Sequence, residues 1–180
     1  MVGKTALNKE MKHLNGAYFR TINNYKMKYY KLEPEVAGGI GKESQIIYTE
    51  EGRIKEITFL DYEFDGWLGD ELLTTTPTFI VSEQLTNDII ERKLTGCIFQ
   101  DMKVSVSDDF LEFHHKEELP NFKRLVPVNN INSFDELDNS LQDFYAYKLR
   151  ELIVSEKALS IIKKHSISHC DIIEINATSV

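Results

Sequence analysis

FIVSEQLTNDIIERKLTGCIFQ, residues 79–100, and LIVSEKALSIIKKHSISHCDII, residues 152–173, align without a gap at an offset of 73 residues. Six of the 22 positions are identical: Ile80/Ile153, Val81/Val154, Ser82/Ser155, Glu83/Glu156, Ile89/Ile162 and Cys97/Cys170. Unrelated stretches of this length would share about one or two, and self-similarity at a fixed offset is the signature of an internal duplication. Both copies follow one grammar. A short apolar, β-branched run reads as a buried strand. Serine then stands where a helix N-cap is needed, and glutamate follows where the positive end of the helix dipole favours a carboxylate. Leu85 and Ile89, like Ala158 and Ile162, lie four apart on one helix face. The pattern predicts strands over 79–81 and 152–154 and helices over 83–92 and 156–164. The fold class it points to is α+β: two pseudo-repeated strand-helix-strand units, with added antiparallel hairpins and an N-terminal helical extension.

The rest of the chain bounds that reading. With 180 residues, 42% of them hydrophobic and 11% aromatic, the chain is long enough to bury a core without disulfides or metal staples. We divide it into a basic amphipathic extension, 1–26, and a single α+β domain, 27–180. No apolar run approaches the roughly 18–20 residues that span a bilayer, and no secretory leader is legible, so no membrane association and a cytoplasmic location are expected.

Charge is unevenly spread. The net charge is −8, yet Lys4, Lys9, Lys12, Arg20, Lys26, Lys28 and Lys31 face a single acid, Glu10, within the first 31 residues. The remainder carries 14 basic against 28 acidic residues. An acidic body repels nucleic acid and attracts basic proteins. In the extension, Leu7, Met11, Leu14 and Tyr18 recur at helical spacing. Such a helix is expected to pack on the acidic body of its own chain or of a neighbouring one, which leaves homo-oligomerisation open.

From Met27 onward the pattern turns to strands. Residues 45–49 and 53–64, joined by Glu50-Glu51-Gly52, read as a hairpin. Gly38-Gly39-Ile40-Gly41 reads as a flexible turn. It fails as a phosphate-binding loop, because Val36 stands where that motif needs glycine and Glu43 where it needs Ser or Thr. Residues 98–106 and 110–113 read as strands, and Ser133-Phe134-Asp135-Glu136 as a capping box opening a helix with Phe134, Leu137, Leu141 and Phe144 on one face.

The densest cluster of polar chemistry precedes the first repeat. The sole tryptophan, Trp67, lies between glycines and among Asp61, Glu63, Asp65, Asp70 and Glu71. The spacing does not match a calcium loop, and paired carboxylates for hydrolysis would look the same in sequence. No nucleophile-base set or dinucleotide fingerprint can be assembled, so no catalytic residue, metal ligand or cofactor is assigned. Cys97 and Cys170 fall after their helices, where nothing lowers a thiol pKa. We expect them to be unbridged and buried; a zinc site from His165, His169 and Cys170 is the weaker alternative.

YYKLEPEVAGGIG at 29–41, FDGWLGDELL at 64–73, PTFIVSEQL leading to LTGCIF, and LIVSEKALSIIKK at 152–164 together resemble an immunity-protein family of bacterial polymorphic toxin systems. The resemblance spans about 29–171 and leaves out the basic extension. It implies neutralisation of a cognate protein toxin by tight binding, with no enzyme activity and no cofactor. Asp61, Glu63, Asp65, Trp67, Asp70 and Glu71 are then the candidate partner-binding residues, since an acidic face with a tryptophan anchor suits a basic toxin surface. Two other readings stay open: a small-ligand-binding regulatory module and a carboxylate-dependent hydrolase. A toxin gene beside this one would favour immunity over both.

Overall fold

The computed structural model describes residues 27–114, 119–139 and 141–175. The helix expected within residues 1–26 lies outside them. The fold is mixed α+β and mostly strand. In chain order it runs β1 (Tyr29–Glu33), β2 (Gly38–Ile40), β3 (Gln45–Tyr48), β4 (Ile54–Phe59), β5 (Asp61–Phe64), β6 (Leu72–Thr75) and β7 (Thr78–Ser82). Then come helix α1 (Glu83–Glu91), β8 (Cys97–Gln100), β9 (Lys103–Val106), helix α2 (Asp108–Phe113), β10 (Phe122–Pro127) and β11 (Asn130–Ile131). A 3-10 helix (Phe134–Asn139), β12 (Phe144–Tyr147), β13 (Glu151–Ser155), helix α3 (Glu156–Ile162) and β14 (Asp171–Ile175) complete it.

Two sheets dominate, ordered β6-β7-β10-β8 and β11-β12-β13-β1-β14. In each, a hairpin leads into a strand, a helix follows, and the next strand returns on the far side of an antiparallel central strand. Leu125 of β10 sits between Phe79 and Phe99, and Leu32 of β1 sits between Leu152 and Ile172. Each central strand is remote from the hairpin it joins: β10 follows the first strand-helix-strand segment, whereas β1 precedes the second by more than a hundred residues.

The apolar runs are continuous because both faces of β7 and β13 are covered. Phe79 and Val81 point, with Leu152 and Val154, into a shared core that also takes Leu85 and Ile89 of α1 and Ala158 and Ile162 of α3. The residues between them face outward from that core into separate clusters, Ile80 with Tyr62, Phe64 and Phe110, and Ile153 with Tyr29 and Tyr145. Burying each large aliphatic side chain contributes about 1.5–3 kcal/mol, so the faces of the FIV and LIV runs are committed.

Ser82 and Ser155 are N-caps. Each side chain accepts from the amide three residues on, Leu85 and Ala158 respectively, at 3.1 Å. Each also donates to a carboxylate at 2.7 Å, Ser82 to Glu71 and Ser155 to Asp143. The two acids then cross over: Glu71 Oε2 accepts from the Ser166 amide and Asp143 Oδ2 from the Thr95 amide, both at 2.9 Å. Each carboxylate therefore ties its own segment's helix start to the loop that follows the other helix.

Several local expectations are corrected. Residues 38–40 form a strand paired to β5 instead of a free turn. The glycines answer to packing there, since a Cβ on Gly38 would lie 2.1 Å from the Glu63 carbonyl oxygen. Residues 108–113 form a helix, because Ser107 caps it by accepting from the Phe110 amide at 3.1 Å and two aspartates fill its first turn. Residues 98–106 divide into β8 and β9, which belong to different sheets. The capping box at Ser133 forms, with Glu136 accepting from the Asn132 and Ser133 amides at 2.9 Å, but it opens only a 3-10 helix. Leu141 takes a φ of 49° and is exposed, and Phe144 enters β12, so the expected helical face is broken.

Candidate interaction surface

The Trp67 loop is held by connections made before and after it in sequence. Glu35, between β1 and β2, bridges to Leu73 and accepts the Thr74 amide on its carbonyl at 2.9 Å. This brings the Glu35 carboxylate under the loop, where Oε1 accepts the Trp67 indole N–H at 2.8 Å and Oε2 the Asp70 amide at 2.9 Å. Gly69 permits the approach: its φ is +70°, and a Cβ there would meet Ala37 at 2.6 Å and Leu73 at 2.8 Å. Trp67 itself is 52% exposed. Its edge is fixed while its face meets solvent.

The six residues singled out in sequence divide into two groups. Asp61 and Asp70 are buried, and Glu71 is half-buried. Asp61 accepts from the Ser105 hydroxyl at 2.7 Å and the Glu43 amide at 3.2 Å, linking β5 to β9 and to the turn after β2. Asp70 Oδ2 accepts the His169 amide at 2.7 Å. Glu63 is half-buried, whereas Asp65 and Trp67 are exposed. Outward-facing chemistry thus centres on Glu63, Asp65 and Trp67, with Asp61, Asp70 and Glu71 forming the frame behind them.

The structure adds neighbours that sequence reasoning missed. Helix α2 is fastened to the loop at both ends: the Ser107 hydroxyl donates to the Asp65 carbonyl at 3.1 Å, and His114 Nε2 lies 2.9 Å from the Gly66 carbonyl. Exposed Asp108, Asp109 and Glu112 thereby join the acidic side, with Leu111 and Phe113 also exposed. Reading 110–113 as a strand hid this.

Behind the loop, His165 is buried between two acids, with Nδ1 3.2 Å from Glu71 and Nε2 3.0 Å from Asp88. Burial pushes the Glu71 carboxyl upward, but hydrogen bonds from the Ser82 hydroxyl, the Ser166 amide and His165 outweigh it and hold the group below the usual glutamate range. A depressed folded-state pKa contributes stability above the unfolded value of about 4.3, and that stability is lost as pH falls through the folded value. Melting temperatures measured from pH 6 down to pH 3 are expected to fall more steeply for the wild type than for Glu71→Gln. Parallel curves would show that Glu71 carries none of the acid limb.

Cys97 and Cys170 are free and half-buried, more accessible than the full burial expected. Burial and the charge of Asp143 push the Cys97 thiol up to about 12, and burial with Asp70 pushes Cys170 up to about 11. Neither is a ready nucleophile near neutral pH. His165, His169 and Cys170 do not converge as one set, since both His165 nitrogens are spent on Glu71 and Asp88.

Among the described residues no helix is long and apolar enough to cross a membrane. No protein-family model matches the sequence, and no curated protein matches it.

Proposed function

We propose that this chain is a cytoplasmic immunity protein that neutralises a cognate bacterial toxin by stoichiometric binding, without catalysis, and that the toxin docks on the face around Glu63, Asp65 and Trp67. One observation carries the reading. The only tryptophan is half exposed, yet its indole N–H is pinned to Glu35 at 2.8 Å. A large side chain held in place and left in solvent suits an interface anchor, because little conformational freedom remains to be lost on association. Exposed acids on both sides, from the loop and from α2, favour a basic partner and speed its encounter. The resemblance read from the motifs at 29–41, 64–73 and 152–164 is to the same class.

Raising salt is expected to slow association with the toxin more than it speeds dissociation, since screening acts on long-range attraction more than on desolvated contacts. Stopped-flow association at increasing ionic strength reads this directly. An association rate indifferent to salt would remove charge steering from the proposal.

We also infer that residues 79–100 and 152–173 descend from one duplicated unit. The matched caps, the crossed carboxylates and the common register of the flanking strands support this. On this reading the central strands are exchanged. β1, which lies well before the first unit, sits in the second sheet, and β10, which lies between the two units, sits in the first. Such an exchange joins the halves into one cooperative fold.

A further inference from the structure

We propose that Glu35, Asp70 and His169 form a binding site for a divalent first-row cation such as zinc. One ligand atom from each lies within 4.8 Å of the others. His169 Nδ1 is 3.6 Å from Glu35 Oε2 and 3.6 Å from Asp70 Oδ1. Ligands about 2.0–2.1 Å from a tetrahedral zinc stand about 3.3 Å apart, so small side-chain rotations close this set around a metal.

A second observation, independent of the spacing, is the state of the carboxylates. The Asp70 side chain is 4% exposed and that of Glu35 12%. Among the described residues neither has a Lys or Arg partner, and the His169 imidazole is the one charge partner they share. Asp70 Oδ1 has a single hydrogen bond, from Ser166 Oγ at 3.4 Å, at the outer limit for such a bond. The two carboxylates accept hydrogen bonds from neutral donors but lie side by side and largely withdrawn from water, a setting that favours a bound cation, and Asp70 Oδ1 and the His169 imidazole face one another where it would sit.

The surroundings hold the ligands in position. The Trp67 indole and the Asp70 amide fix the Glu35 carboxylate, and the His169 amide fixes Asp70 Oδ2. Hydrogen bonds of this kind orient ligands at metal sites. The His169 side chain is 68% exposed, so a cation can enter and complete its coordination with water. It would clip three distant segments together: the β1–β2 connection, the Trp67 loop and the loop before β14. Because Glu35 also holds the indole, loading the site would stiffen the Trp67 loop.

The test is titration of zinc chloride into the full chain freed of metal by a chelator, read by calorimetry and by emission of the sole tryptophan. Saturable one-to-one binding with a change in Trp67 emission is expected. His169→Ala, at an exposed position, should leave the fold intact and weaken binding at least about tenfold. Asp70→Asn, which keeps the side-chain volume, should do the same, whereas Cys170→Ser should not. Equal zinc affinity in wild type and His169→Ala, loss caused by Cys170→Ser instead, or no saturable binding would each overturn the site.

Discussion

Asp143→Ala is expected to lower stability by about 3 kcal/mol, the largest loss among single changes outside the apolar core. Asp143 is 5% exposed and accepts from the Ser155 hydroxyl at 2.7 Å and the Thr95 amide at 2.9 Å. Removing it strands a serine hydroxyl that is fully buried and frees an amide at the end of the α1 loop. A buried donor left without a partner costs about 1–3 kcal/mol, and the Ser155 hydroxyl becomes one, whereas the amide of exposed Thr95 can turn to water. The cap on α3 also loses the group that orients it, which adds to the same loss. In a chain of this size each kcal/mol shifts the melting temperature by about 2–4 °C, so a fall of roughly 6–12 °C is expected by scanning calorimetry. Asp143→Asn keeps one acceptor and should fall less. Glu91→Ala, at an exposed position, should stay within about 0.5 kcal/mol of wild type. If Asp143→Ala melts with Glu91→Ala, the crossed carboxylates do not hold the halves together.

Trp67→Ala should weaken toxin binding by about 2 kcal/mol or more, a loss of roughly thirtyfold in affinity. The same substitution should leave the melting temperature nearly unchanged, because the side chain is 52% exposed and packs no core. The pairing of effects separates an anchor from a structural plug. Calorimetric titration of wild type and variant against the purified toxin gives the first quantity and thermal unfolding gives the second. An unaltered affinity, or a variant that unfolds, would remove Trp67 from the interface.

What could be read in the sequence was local. Ser82 and Ser155 announce their helices because a cap acts within one turn, and the apolar runs before them announce strands because both faces are covered. The same logic holds at Ser107, followed by two aspartates, although the short apolar stretch at Phe110 and Leu111, taken without its cap, resembles a strand. At Ser133 the capping box is genuine, but the left-handed backbone at Leu141 ends the helix after a few residues. What could not be read was convergence. Nothing near Tyr29 says that β1 pairs with β13 and β14, more than a hundred residues away. Glu35, Asp70 and His169 come from three separate segments, and only the strand pairing that sets β1 beside β14 brings Glu35 toward His169. Within the acidic run, Asp61 and Glu63 lie on one face of β5, yet Asp61 is buried against the Ser105 hydroxyl and the Glu43 amide while Glu63 is half-buried, and the following loop leaves Asp65 and Trp67 outside. Sequence density of carboxylates does not distinguish those fates.

Co-expression with the product of a neighbouring toxin gene tests the central claim most directly. The account predicts that cells carrying the toxin alone die, that cells carrying both genes survive, and that the two proteins co-elute as a stoichiometric complex. Death of the doubly transformed cells with both proteins folded and no complex recovered would contradict it.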